Sequence, residues 1–349
     1  MVCRFMDGFD YYATAELARK WTNVGGAQAT VQGSVVRTGD AALRMQLSSS
    51  GVIDKTIDAQ ATWIFGAGIR VSALPSNNTA TVIAQWRDSG TVQCGLILNS
   101  NGTLRVVRST STDVTDGTSS FVLSADTWLY IEWKVTIANS IGAGTCEVRV
   151  NGTTIITVAT GQDLQATGNS TADELRIVNV LSGAAFMYVD DLYLFDGTGS
   201  ENIDFAGDSK IVSLRPDGNG ATSNFTGSDA DSVDNHLHVD ETTVDDDTSF
   251  VESNTVAHID LYTFGDLPES PTAIHAVGVN SQLKKTDAGS RTMRNVTRPV
   301  ATNFFGSSLS PSNGSYENFA EIYDLNPETS AAWTEALLNA SEFGVNIEA

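Results

Sequence analysis

Apolar and polar residues alternate through much of the first two hundred positions. From Trp128 to Ile137, the residues Leu129, Ile131, Trp133, Val135 and Ile137 fall on one face, the period of a strand with one buried side. Thr145 to Val150 continues in the same way, with Cys146, Val148 and Val150 opposed to Thr145, Glu147 and Arg149. Asn151-Gly152 follows, and the strand pattern resumes at Thr154–Val158. This predicts a hairpin closed by a type I′ turn, because Asn and Gly accept the positive φ that such a turn needs. A second Asn-Gly, at Asn101-Gly102, separates Val92–Leu98 from Thr103–Val107. Further strands are predicted at Ala42–Leu47, Thr62–Val71, Ala80–Trp86, Leu175–Val180 and Phe186–Phe195, with one helical turn at Thr14–Lys20. Many short strands joined by turns imply an antiparallel sandwich or jelly roll.

The pattern breaks at Asp196-Gly197-Thr198-Gly199-Ser200, a sequence suited to a linker. Beyond it, strand-like runs recur at Ile259–Phe264, Ile274–Val279, Arg291–Val296 and Glu342–Ile347. Trp333 to Asn339 reads as one short helix, with Thr334 placed to cap it and Glu335 favourable at its positive end. A longer helix starting at Asn326-Pro327 competes with that reading. The fold class expected is all-β: a jelly-roll sandwich over residues 1–200, then a second, sandwich-like β domain over 201–349 with one short C-terminal helix.

Charge narrows the range of partners. The chain has 349 residues, 20 Lys and Arg against 42 Asp and Glu, and a formal net charge of −22. Condensed phosphate charge repels such a surface, so nucleic acid and anionic membrane are not expected partners. No stretch approaches the roughly 20 apolar residues of a membrane span. The N-terminal run MVCRFMDGFDYYATAEL lacks the apolar core of a signal peptide, so nothing in it predicts export. Cys3, Cys94 and Cys146 form neither a C-x-x-C pair nor an even set, and the last two sit in apolar runs, as buried thiols do. The cations are segregated. Between Pro216 and Leu283 there are thirteen Asp or Glu and no Lys or Arg, and then Lys284, Lys285, Arg291, Arg294 and Arg298 crowd together. In a symmetric oligomer those five cations could meet a neighbour's acidic loops, which makes them a candidate oligomer interface. The competing arrangement pairs them within one chain.

The order of several motifs is recognisable. Residues 7–12 (DGFDYY), 42–47 (ALRMQL), 128–137 (WLYIEWKVTI), 146–155 (CEVRVNGTTI) and 186–196 (FMYVDDLYLFD) together resemble the concanavalin A-like, laminin-G-like β-sandwich. The version they resemble is that of tailed-bacteriophage virion proteins. There a strand ending Val-Asp-Asp-Leu-Tyr-Leu, here Val189 to Leu194, leads through a linker to a Phe-x-Gly-Asp segment, here Phe205 to Asp208. The likeness continues through Asp245-Asp246-Asp247, Lys285 to Arg291, and Asn326-Pro327 before Trp333. It implies a non-enzymatic structural component of a phage particle, whether fibre, tail appendage or surface decoration. Such a protein would be assembled in the host cytoplasm, with copies of itself and other virion proteins as partners. Two alternatives stand beside it: a glycan-binding receptor-recognition module of the virion, and a polysaccharide hydrolase.

Glycoside hydrolases of this sandwich class resemble one another in a Glu-x-Asp-x-x-Glu strand, which places carboxylates on one face; no Glu here has that spacing. Asp190-Asp191 is the nearest acidic pair, and on a regular strand its members would point to opposite faces, one inward and one solvated. No G-x-S-x-G elbow or P-loop is present. Asp234, His236, His238 and Asp240 would share a face if their segment were a strand, which makes them a candidate metal site suited to zinc or another transition metal. The competing reading is a solvated edge or loop. Laminin-G-like sandwiches often hold calcium at a rim, and the resemblance leaves room for Ca2+ among Asp229, Asp231, Asp234 and Asp245–Asp247, although none fits an EF-hand loop. Trp86 and Trp128 are the candidate platforms for stacking on sugar rings, against the commoner fate of aromatics in the core.

Overall fold

Alternation becomes strand almost wherever it occurs. In the computed structural model, which describes residues 2–25, 28–46, 51–76, 81–139, 143–178 and 185–349, the segments Thr62–Val71, Ile259–Phe264 and Glu342–Ile347 are strands with the expected bounds. The expected strand ends at Leu47, Ala80 and Val180 lie outside the described residues. The chain divides into two compact units, Val2–Ile211 and Val212–Ala349. The division therefore falls beyond the Gly/Ser linker.

The first unit is a sandwich of two antiparallel sheets. One has eight strands, with Thr153–Gln162, Gly144–Val150, Leu129–Thr136, Thr62–Val71, Phe186–Asp196, Ala42–Gln46 and Ala29–Gln32 in that spatial order, and Cys3–Asp7 also pairing with Phe186–Asp196. The other has seven, in the order Thr112–Val122, Thr103–Arg108, Thr91–Leu98, Thr81–Asp88, Ala172–Val178, Val52–Gln60 and Asn23–Gly25. The apolar faces meet between them. Leu129, Ile131, Trp133 and Val135 are buried beside Phe65, Ala67, Met187 and Val189, and the facing sheet supplies Trp86, Leu96, Leu98 and Leu175. Each Leu, Ile, Val, Phe or Met among them contributes about 1.5–3 kcal/mol by leaving water. All three cysteines are buried and unbridged.

Turn chemistry sets the register of the sheet edge. Asn151 (φ 48°) and Gly152 (φ 75°) both take the positive φ of the expected turn, and Val150 then pairs with Thr153. Asn101-Gly102 acts differently: the loop runs from Asn99 to Gly102, closed by the Gly102 amide on the Asn99 carbonyl at 2.9 Å, with φ positive only at Gly102. The Thr14–Lys20 turn forms as a 3-10 turn, Thr14–Glu16, running into the short helix Leu17–Lys20.

The second unit is built on a five-stranded antiparallel sheet ordered Pro216–Ser223, Ile259–Phe264, Glu342–Ile347, Met293–Arg298 and Phe304–Phe305. A two-stranded ribbon, Val277–Leu283 with Glu317–Tyr323, packs on it through Asn295, whose amide donates to the Val279 carbonyl at 3.1 Å. The helix is short, Glu335–Asn339, and Thr334 Oγ1 caps it by accepting from the Leu337 amide at 3.3 Å. A longer helix from Asn326 does not form. Asn326 Oδ1 instead accepts from the amides of Glu328 and Thr329 at 2.8 and 3.1 Å, and Ser330 turns into positive φ (54°), which ends the turn. Trp333 anchors the next segment, donating to the Tyr323 carbonyl at 3.1 Å.

Candidate functional site

The site is the outward face of the eight-stranded sheet. On the central strand Thr62–Val71, every second residue that faces outward at mid-length is a glycine. A Cβ on Gly66 would lie 2.1 Å from Tyr193 Cε1, and one on Gly68 would lie 2.4 Å from Arg37 Cδ. The two glycines thus form a trough in which Tyr193 and Arg37 lie flat. Arg37 sits with its guanidinium carbon 4.7 Å from the Tyr130 ring centre. Tyr193 reaches Glu132 on the other side of the trough, donating to its Oε1 at 2.6 Å.

Residues 203–211 cross this face as a strap. Lys134 Nζ donates to the Ile203 carbonyl at 3.0 Å and pairs with Asp204 at 3.2 Å. Arg149 lies over the Phe205 ring at 4.1 Å. The Ala206 amide donates to the Tyr193 hydroxyl at 3.0 Å and the Gly207 amide to Glu132 Oε1 at 2.8 Å. Asp208 pairs with Arg37, whose Nη1 also donates to the Ser209 carbonyl at 2.9 Å. Burial pushes the Glu132 carboxyl above the usual carboxylate range, although Tyr193 and Gly207 oppose the shift. Its Oε2 is buried with no hydrogen-bond partner among the described residues. The titratable groups best equipped for acid–base work are therefore engaged in holding the chain's own backbone.

The Asp190-Asp191 pair is where the strand departs from regularity. Asp191 adopts φ 50°, a bulge that shifts the register between Asp190 and Tyr193. Both carboxylates are consequently fully buried, and the expectation that one is solvated is corrected. Asp190 accepts from the amides of Arg37, Thr38 and its own neighbour Asp191, at 2.8, 3.3 and 2.8 Å. Asp191 pairs with Arg37 and accepts from Thr38 Oγ1 and the Ile211 amide, both at 2.7 Å. Burial, reinforced by the Asp191 charge, pushes Asp190 up to about 8. Burial likewise raises Asp10 to about 6, although the amides of Asp40 and Ala41 hold its Oδ1 at 2.8 and 3.0 Å. Asp7, the first residue of the DGFDYY motif, accepts from Tyr12, Trp21 and the Phe9 amide and pairs with Lys20 at 3.1 Å. These motif carboxylates organise the sandwich rim.

The residues singled out from sequence fare unequally. Trp86 is no platform: it is fully buried, stacked on Trp63 with ring centres 4.7 Å apart. An inward position in the seven-stranded sheet places it there. Trp128 is half-buried at the edge of the outward face, 6.4 Å from the Tyr188 ring. The metal-site reading needs a strand at 234–240, and the structure has a 3-10 turn at Asn235–His238 instead. That geometry separates the four groups: His236 Nδ1 meets Asn219 Oδ1 at 3.2 Å, whereas His238 lies between Ser228 and Asp229 at 3.2 and 3.3 Å. Among the described residues no three His, Cys, Asp or Glu side chains are grouped to hold a metal. The acidic loops offered for calcium are spent on local partners, Asp231 on the Val233 amide, Asp245 on Ser249, and Asp247 on Lys284 and Tyr316. Among the described residues they are not grouped around one position. The five cations also find partners in their own unit: Lys284 with Asp247, Lys285 with the Gly289 carbonyl, Arg291 with Asp287, Arg294 with Glu348 and Arg298 with Glu342.

Neither alternation nor spacing singles out Arg37, Glu132 or Tyr193. The available signal was Gly66-x-Gly68 inside an otherwise apolar strand, which marks a close approach by something else.

Fold and face together define a β-sandwich protein of jelly-roll type with a self-covered central face. No protein-family model matches the chain, and no curated protein does. Among solved structures, the cellulose induced protein Cip1 superposes with a TM-score of 0.37 at 13% identity, over 54% of this chain and 89% of that one. The alginate lyase Aly36B gives 0.38 at 14%, over 53% and 91%. A botulinum neurotoxin type C structure, titled for cell entry through two ganglioside molecules, gives 0.37 at 13% and spans 92% of both chains.

Proposed function

We propose that this chain is a non-enzymatic structural protein of a tailed-phage particle, serving in a fibre, tail appendage or surface decoration. The observation that carries the non-enzymatic part is the strap. Glu132 and Tyr193, the buried acid–hydroxyl pair of the sheet face, both bond to the backbone of residues 206–207, so a substrate would have to displace a segment held from Lys134 to Arg37. The phage part rests on the motif order of the sequence. A panel of neutral and acidic polysaccharides incubated with the protein tests the first part. No release of reducing ends or unsaturated products is expected, and turnover abolished by Glu132→Gln would replace the proposal with an enzyme. Immunogold labelling of particles with antibody to the protein tests the second, and unlabelled particles would overturn it.

A second reading, glycan recognition, is favoured by one specific observation. Trp128 stands half-buried beside Tyr188 on the part of the face that the strap does not touch. Loss of glycan-array binding on Trp128→Ala, with an unchanged melting point, is the expected result.

A further inference from the structure

We infer that the strap-free part of this face binds an acidic glycan, a chain of sugars carrying carboxylate or sulfate groups. The inference rests on the glycan-recognition reading of Trp128 and names the class of sugar. Strand register places the participants in one row. Tyr188 pairs with Arg44 on one side and with Arg70 on the other, and Thr30 extends the row beyond Arg44. Trp128 precedes the Leu129–Ile69 pair and so stands next to Arg70. At about 4.8 Å per strand, the two arginine positions are roughly 10 Å apart, and the ring between them, Tyr188, is buried and supports Arg70 rather than facing a ligand.

Two features give the row its preference. Arg44 lies over the Phe186 ring at 5.1 Å and Arg70 over the Tyr188 ring at 5.4 Å. The fork of N–H groups on a guanidinium matches a carboxylate or sulfate bidentately. Among the described residues Arg44 has no carboxylate partner, and the Arg70 pair is with Asp126, whose side chain is 62% exposed. The strap supplies the second feature. On this same sheet face Arg37, Lys134 and Arg149 receive two carboxylates and a ring, Asp208, Asp204 and Phe205, from a passing polymer. An acidic sugar chain would present the same chemistry to the next row. The net charge of −22 does not decide the matter, because screening over about 8 Å at physiological salt leaves a ligand governed by the nearest groups.

The test titrates the full chain by calorimetry with an oligouronate, a sulfated oligosaccharide and a neutral β-glucan oligosaccharide of equal length. Expected is acidic binding at least tenfold tighter than neutral. Arg44→Gln and Arg70→Gln should each weaken acidic binding about tenfold and leave neutral binding unchanged, with Arg44→Lys between, because a lysine keeps the charge and loses the fork. Trp128→Ala should weaken both. Neutral binding that depends on Trp128 but is indifferent to both arginines would overturn the acidic assignment and keep the glycan reading. No binding of any oligosaccharide by natively melting protein would overturn both.

Discussion

At the scale of single residues, the face is shaped by two side chains that are absent. Gly66→Ala would thrust a methyl into the Tyr193 ring, which is itself locked to Glu132 and the Ala206 amide. Overpacking of this kind costs about 1–3 kcal/mol, and about 2–4 °C of melting temperature per kcal/mol is expected for a unit of this size. Gly68→Ala meets the Arg37 stem rather than a ring, so a smaller loss of stability but a guanidinium displaced from Asp191 and Asp208 is the expected outcome. Limited proteolysis within 203–211 reads that displacement. The buried acids make a separate prediction. Asp190 and Asp10 are raised to about 8 and about 6 from an ordinary 3.8, so between those values the folded state holds more protons than the unfolded one. Stability from these groups is fully present below about pH 4 and is lost as pH rises through about 8. Tryptophan fluorescence follows the first unit, which holds five of the six tryptophans. Its unfolding midpoint should fall from pH 5 to pH 9, and a flat or rising profile would show that another network dominates.

At the scale of elements, legibility followed locality. Leu129 to Ile137 and the Asn151-Gly152 turn could be read because period and turn chemistry are written in neighbouring residues, and the structure returns them nearly unchanged. The bulge at Asp191 could not. Its positive φ is imposed by the Arg37–Thr38 loop and the Ile211 amide, which are distant in sequence. Trp86 is illegible for a related reason. It ends the expected strand Ala80–Trp86, but pairing continues through Asp88 and its face is set by the sheet. His236 and His238 alternate as a strand would, yet Asn235 turns inward to Asp260 at 2.8 Å, and the segment curls. The hairpin gives a clean test at this scale. A Cβ at Gly152 meets nothing within 4 Å, so the penalty expected for Gly152→Val comes from its φ of 75°. About 1–2 kcal/mol is expected, as a lower melting point of the first unit with the second unit unchanged. A cost near zero would mean that the turn can shift type.

At the scale of the whole molecule, the five clustered cations have partners at home, so Lys284→Gln and Arg291→Gln should leave the mass measured by light scattering unchanged. A drop in mass would show that these residues form an interface between copies. The strap carries the larger consequence. Sequence composition puts the domain boundary at the Gly/Ser run before residue 201, whereas the first unit extends to Ile211 because residues 203–211 bond to its sheet. A fragment ending at Ser200 loses the backbone donors to Tyr193, Glu132 and Asp191, and it strips Asp208 from Arg37. Three hydrogen bonds at about 1 kcal/mol each amount to about 3 kcal/mol. The loss is sharpened because Glu132 and Asp191 are then left as buried acceptors missing a donor. Residues 2–200 should therefore melt roughly 5–10 °C below residues 2–211, and should acquire fluorescence-dye binding where Tyr130 and Tyr193 become exposed. Residues 2–211 should melt together with the first unit of the full chain. Equal melting of the two fragments would mean that the strap rests on the sheet without stabilising it, and the linker would then be the true end of the domain.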